Sequence, residues 1–384
     1  MEQKQLGLFV EHNTKKLEGL DPVTQKTHFL ALSLVRGIGF QTLRKVFERY
    51  GRFDTVWSLS EADLHQFTSR ISKADEYNIA KVLKSNEDSL LQKARDLLQS
   101  YKAKNIDIVF IFESGFPQNL STIPDPPYWL FVEGNRGLLN QDNMIAVVGS
   151  RTASYQGITL TRKVSTILSK RGYPIVSGLA EGIDAVAHQT SLDYGNNCVA
   201  VLGNGISVVF PTSTASLRIK MVRSGGVVIT EYLPDDSYSK SRFILRNRLQ
   251  AALSRAIIPI EWSVKGGTAH TIQYAEKYKR PVIFLKNTQD NSIESDANLY
   301  TSSNNRYFVN APSNNLEEEL INILQRLQIQ GATSPESGGK STSVLQSVID
   351  EFDRLIESYE INNDIFMAMM EELKNRWSKK QTQP

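Results

Sequence analysis

Cysteine is nearly absent: Cys198 is the single thiol in 384 residues. An intramolecular disulfide is excluded, no Cys cluster is available to hold zinc, and a reducing compartment fits this usage. Long apolar runs are absent too, since no stretch approaches the roughly 20 residues that span a bilayer. Met1 to Glu11 has charged residues and no sustained apolar segment, so it does not read as a secretory signal. Charge of one sign is also lacking. The net value is only +3, which excludes a histone-like polycation but leaves room for a local basic patch. Together these absences lead us to expect a cytoplasmic protein with no membrane span, no metal site and no cofactor.

What is present suits a globular chain of two or three domains: 40% hydrophobic and 22% charged residues. From Thr27 to about Ala103 the apolar spacing is helical. Phe29, Leu32, Leu34 and Val35 precede Gly37-Ile38-Gly39, and Leu43, Val46 and Phe47 follow it. Two glycines around one apolar residue suit a tight turn between helices. That turn could also grip a phosphate, as a helix-hairpin-helix does, although packing is the plainer reading.

Beyond Asn105 the pattern changes. Ile108 to Phe112 reads as a buried strand, and from Met144 short apolar runs alternate with helical segments. The runs are Ile145 to Val148, Pro174 to Ser177, Cys198 to Leu202, Gly226 to Thr230, Ala256 to Ile260 and Pro281 to Leu285. Such alternation implies an α/β fold with a parallel sheet covered on both faces. Asn287 to Asn315 is polar, Leu316 to Leu327 is amphipathic, and Gln328 to Thr342 is a Gly/Ser/Pro linker. Val344 to Tyr359 and Ile365 to Trp377 then read as helices.

Five loops follow the strands. They are Gly149-Ser150-Arg151; Ser177-Gly178-Leu179-Ala180-Glu181-Gly182-Ile183-Asp184 with His188; Gly203-Asn204-Gly205; Phe243-Ile244-Leu245-Arg246-Asn247-Arg248; and Lys265-Gly266-Gly267-Thr268. In an open α/β sheet, ligands bind at that edge. Glycine there lets a ligand approach the backbone, helix N-termini favour anions, and arginine adds bidentate phosphate contacts. The dinucleotide fingerprint G-x-G-x-x-G is missing, so NAD is not inferred. No nucleophile elbow surrounds Ser177, which argues against hydrolysis. Asp184 and His188, four apart on one helix, read as a buried structural pair. Lys240 to Arg280 holds nine Lys or Arg against two Glu, interleaved with Trp262, Tyr274 and Tyr278. Cations with aromatics suit a flexible single strand, pairing with phosphates and stacking on bases.

From about Phe29 to Lys286 these elements resemble the DNA-processing protein A (DprA/Smf) family. The resemblance rests on Ala31 to Gly39, Phe116-Pro117 through Pro126-Pro127, Gly134-Asn135, Gly149-Ser150-Arg151, Ser177-Gly178 through His188, Gly203-x-Gly205, Glu231-Tyr232, Arg246-Asn247-Arg248 with Leu253-Ser254, and Glu261 followed by Gly267 and Thr271. It departs at Gly266, usually serine, at Trp262, usually small, and at Leu285-Lys286-Asn287, commonly a Pro-Gly turn. The tail reads as two helices where many members have a winged helix.

The resemblance implies an extended Rossmann-like sheet with an N-terminal helical, sterile-alpha-motif-like domain and a C-terminal helical tail. The expected division is residues 1–104, 105–290, a polar linker at 291–342 and a helical segment at 343–384. It implies a non-enzymatic homodimer that binds and protects single-stranded DNA and loads the RecA recombinase in natural transformation. The expected DNA contacts are Gly149, Ser150, Arg151, Ser177, Gly178, Gly203, Gly205, Arg246, Asn247, Arg248, Lys265 and Gly267. One alternative is a nucleotide-binding or nucleotide-hydrolysing enzyme of the related lysine-decarboxylase-like group, but Thr271 stands where that group has its carboxylate. Another is a divergent paralogue in genome defence.

Overall fold

The computed structural model describes residues 20–60, 62–64, 73–286 and 296–330. Helix α1 (Pro22–Ser33) begins where Asp21 accepts hydrogen bonds from the Val23 and Thr24 amides, with proline in the first turn. Gly37, at φ +96°, turns the chain into α2 (Phe40–Tyr50). That helix stops at Gly51 in the left-handed region, whose N–H returns to the Phe47 carbonyl. Helix α3 (Lys73–Ala103) breaks its helical geometry at Asn86.

The sheet follows. Its strands are β1 (Ile106–Phe110), β2 (Trp129–Gly134), β3 (Ile145–Gly149), β4 (Ile175–Ser177), β5 (Cys198–Val201), β6 (Val227–Thr230), β7 (Ala256–Ile260), β8 (Val282–Lys286) and β9 (Arg306–Asn310). They lie in the order β1-β2-β6-β5-β4-β3-β7-β8-β9. The seven strands from β6 to β9 in that order are parallel, and β2 and β1 extend the sheet antiparallel beyond β6. The helices between strands are α4 (Gln118–Ser121), α5 (Tyr155–Lys170), α6 (Ile183–Asp193), α7 (Ala215–Arg223), α8 (Lys240–Leu253) and α9 (Gly267–Lys277), with α10 (Leu316–Gln330) after β9.

Alternation along each strand divides the core. Ile145 and Val147 pack with Val164 and Leu168 of α5 and Ile183 of α6, whereas Ala146 and Val148 face Leu249 and Leu253 of α8 and Ile272 of α9. This period of two places helices on both faces of the sheet. At the β1–β2 end the N-terminal helices share one apolar cluster with the sheet. Phe29 of α1 is its hinge pin, with ring centroids 5.1 Å from Phe53, 5.6 Å from Phe110 and 4.8 Å from Trp129. Lys26 adds contacts to Asp107 at 3.0 Å and Glu113 at 3.4 Å.

The sequence reading expected the strand runs from β3 to β8, and all are present. It missed two strands. Trp129 to Val132 is an apolar run that forms β2, buried on both faces. Strand β9 hides in the polar stretch read as linker, where Tyr307-Phe308-Val309 is a short apolar run between Arg306 and Asn310. It pairs parallel with β8 from Val282↔Arg306 to Lys286↔Asn310. The helices expected at 344–377 lie outside the described residues.

Replacing Phe29 by alanine removes the ring that joins the helical layer to the sheet. Unfolding free energy should fall by about 3–5 kcal/mol in urea titrations. An unchanged midpoint would mean that the two layers fold without this contact.

Candidate nucleic-acid interface

The chain leaves β3 for β4 on one side of the sheet and later returns to β7 on the other. The crevice beyond the C-terminal ends of β3 and β7 is therefore the topological switch point, where open α/β sheets bind ligands. Gly149 pairs with Ile260, so the next residues, Ser150-Arg151 and Glu261, face each other across it. Glu261 takes φ +49°, and its carboxylate accepts the Ser154 N–H at 2.8 and 2.9 Å and the Ser154 hydroxyl at 3.0 Å. A negative charge at the start of α5 complements the helix dipole and holds the loop that carries Arg151.

Arg151 is exposed, and its guanidinium lies 4.6 Å over the Phe243 ring. Arg246 lies 6.0 Å from the same ring centroid but is only 4% exposed. It donates to the carbonyls of Gly178, at 3.1 Å, and Val201, closing the ends of β4 and β5. Burial brings its guanidinium down to about 10, with Asp184 resisting. Arg248, 3% exposed, points elsewhere, to a buried ion pair with Glu231 and to Asp125 at 4.0 Å. Burial works against its charge, but Glu231 and Asp125 outweigh it and hold the group protonated. Asn247 donates to the Gly267 carbonyl at 3.1 Å, tying α8 to the start of α9. The sequence reading expected both arginines of this triplet as DNA contacts; the structure places them in the interior.

The glycines have a similar outcome. A Cβ on Gly178 would lie 2.5 Å from the Arg246 guanidinium, and one on Gly203 would lie 2.5 Å from the Phe243 ring. One on Gly149 would meet Ile183 at 2.7 Å, and one on Gly205 would meet the backbone of Leu233 and Pro234. These positions make room for the chain's own groups. Gly267 differs: nothing lies within 4 Å of its Cβ position, and exposed Lys265 is beside it. Ser150 stays partly exposed and its hydroxyl accepts the Thr152 N–H. Ser177 is fully buried and donates to the Val147 carbonyl at 2.7 Å, out of reach as a nucleophile.

Asp184 and His188 do not pair. Asp184 accepts the Gly178 N–H at 2.9 Å, and burial pushes its carboxyl up despite nearby Arg246. His188 is 0% exposed, and neither ring nitrogen has a hydrogen-bond partner among the described residues. Burial, reinforced by the Arg246 charge, pushes its imidazole down to about 3.

The aromatics also sort differently from the expectation. Trp262 packs on Phe284 at 5.8 Å and Tyr300 at 6.1 Å, which explains how a large residue fits there. Tyr278 stacks near Tyr274 and donates to Asp125 at 2.6 Å. The ring under Arg151 is Phe243, and Tyr238 and Phe210 cluster beside it. Sequence reasoning places Phe243 in the same element as the arginines but not among the DNA contacts. The signal was its spacing: three residues after exposed Lys240, on the same helix face. Among the described residues no cluster of three or more His, Cys, Asp or Glu could hold a metal, and no helix could cross a membrane.

Fold and crevice together define a doubly wound α/β protein that presents an arginine and an aromatic ring at its switch point. Residues 107–316 match the family model of DNA recombination-mediator protein A, and the chain belongs to that family. It is 30% identical over 270 residues to Protein Smf of Synechocystis, covering 70% of this chain and 66% of that protein. It is 37% identical over 175 residues to DNA processing protein DprA of Streptococcus pneumoniae, covering 46% of this chain and 61% of that one. The crystal structure of DprA from Streptococcus pneumoniae superimposes with a TM-score of 0.57 at 27% identity, covering 76% of this chain and 95% of that one. The chain thus spans just under two thirds of the Synechocystis protein.

Two stability measurements follow from the buried charges. Glu231→Gln leaves Arg248 buried without its counter-charge and should cost about 3–5 kcal/mol in denaturant titration. A loss below about 1 kcal/mol would show that Arg248 is solvated in solution. For His188, the folded value lies below the unfolded value of 6.5. The unfolded chain therefore binds the extra proton, and stability drains away as pH falls from 6.5 towards 3. Between pH 7 and pH 5 the wild type should lose roughly 2 kcal/mol more than His188→Gln. Equal slopes for the two proteins would place His188 in contact with water.

Proposed function

We propose that the crevice binds single-stranded DNA without catalysing a reaction, and that the protein serves recombination by holding the strand for a recombinase. The observation that carries this reading is the exposed Arg151 guanidinium stacked on Phe243, with Lys240 on the same side of α8. Arg151 and Lys240 pair with phosphates and release condensed counterions. Phe243 offers a face to a base without reading its identity, because every base has a π-face. Lys265 and the open backbone at Gly267 extend the same edge towards α9. Arg246, Asn247 and Arg248 support the seat from beneath, and Gly149, Gly178, Gly203 and Gly205 shape it. Family membership supports the wider role: a homodimer in the cytoplasm that shields incoming single-stranded DNA and loads RecA during transformation.

Fluorescence-anisotropy titration with a labelled poly-dT oligonucleotide tests the binding step. Arg151→Ala should weaken binding at every salt concentration and reduce the log–log salt slope by about 1. Phe243→Ala should cost about 1–3 kcal/mol and leave that slope nearly unchanged. If both variants bind like wild type, the strand lies elsewhere. Steady nucleotide turnover by the same preparation would favour the enzymatic alternative.

A further inference from the structure

Beside Phe243 stand two rings that the reading above does not use. Tyr238 lies face to face with Phe210, with centroids 3.5 Å apart and planes 18° apart. The Phe243 centroid is 6.2 Å from Tyr238 and 5.8 Å from Phe210, with planes 27° and 33° apart. Phe243 is nearly equidistant from two rings that are stacked on each other. It therefore lies alongside the pair, not above it. Two near-parallel aromatic surfaces thus sit side by side at one edge of the crevice.

Tyr238 is unusual for a ring in a cluster. It gives one face to Phe210 yet keeps 48% of its surface exposed. Val209, next to Phe210 in the chain, is also about half exposed. Positive charge flanks the rings: Lys240 is exposed two residues along, and Arg151 lies over Phe243. The nearby Asp236 is occupied by Arg242 at 3.1 Å, and its other oxygen accepts the Leu233 N–H. An aromatic surface bordered by cations, with Asp236 neutralised by Arg242, fits a nucleobase attached to a phosphate backbone.

We propose that Tyr238, backed by Phe210, is a second base platform, so that the crevice seats two successive unstacked bases, one on Phe243 and one on Tyr238. The inference rests on the single-strand reading above and adds to it the extent of the site. Phe210 supplies rigidity: a ring already stacked on one face loses little freedom when a base covers the other. The bases of a single strand, free of duplex pairing, can splay to meet rings placed side by side.

The test uses the full-length chain and dT oligonucleotides that carry one 5-iodouracil. Irradiation of the wild-type complex should yield cross-links at both Phe243 and Tyr238, mapped by mass spectrometry. Tyr238→Ala should weaken binding about tenfold, and Tyr238→Phe should bind within about twofold of wild type, because the ring and not the hydroxyl makes the contact. Suppose wild type binds, Arg151→Ala loses binding, and Tyr238→Ala keeps full affinity with no cross-link at Tyr238. The second platform is then overturned while the single-strand reading stands. A wild-type protein that binds no oligonucleotide overturns both. Loss in Tyr238→Phe equal to that in Tyr238→Ala would overturn the stacking role, since the phenylalanine variant retains the ring.

Discussion

The Glu261 carboxylate on the first turn of α5 holds the crevice in shape. Strands β3 and β7 lie side by side, so their two outgoing loops start from adjacent backbone and then diverge. Nothing in strand pairing fixes how far apart they run. Glu261 fixes it by reaching across to Ser154, with both carboxylate oxygens on one amide and one of them also on the hydroxyl. Its left-handed backbone is the conformational cost of that reach. Arg151 sits in the tethered loop, so its position over Phe243 depends on this bridge between two loops 107 residues apart in sequence.

Helix α8 supplies the other wall by an expensive device. Three consecutive polar residues, Arg246, Asn247 and Arg248, are all buried. Each anchors the helix to a different neighbour: the ends of β4 and β5, the start of α9, and the loop after β6. Burying charge costs several kcal/mol per ion unless it is fully paired. Hydrophobic residues could fill the same volume, but they would not fix the rotation of the helix about its axis. Directional bonds on three sides do, and the result is that Phe243, one turn earlier, faces the crevice. The buried arginines thus act on the ligand surface through the helix that carries it.

Much of this architecture was legible in the sequence, and the failures have physical causes. Apolar runs such as Ile145 to Val148 and Ala256 to Ile260 announced their strands because both faces of a parallel sheet are buried. Strand β9 gave only the three-residue run Tyr307-Phe308-Val309, and as an edge strand it leaves Arg306, Tyr307 and Phe308 partly exposed. At the site, the loops and their common edge could be read from spacing. Side-chain direction could not. Arg246 and Arg248 look equivalent in the string, yet two residues on a helix diverge by about 200°. Glycine is ambiguous in the same way. Gly178 and Gly203 look like gaps left for a ligand, and they are gaps filled by Arg246 and Phe243.

These corrections change the physical character of the surface. With the two arginines of α8 turned inward, fewer cations face the crevice than the sequence suggests. A patch with few charges cannot hold a polyanion tightly at physiological salt, because each phosphate contact contributes only through the counterions it releases. Stacking is far less sensitive to salt. An interface that joins exposed Arg151 to the Phe243 ring therefore keeps its hold where a purely cationic groove would let go. Stacking also demands bases that are free of a partner. A duplex presents phosphates to Arg151 as readily as a single strand does, but it cannot lay a base on Phe243 without unpairing. If the crevice binds DNA as proposed, selectivity for single strands would follow from the ring and not from the charge.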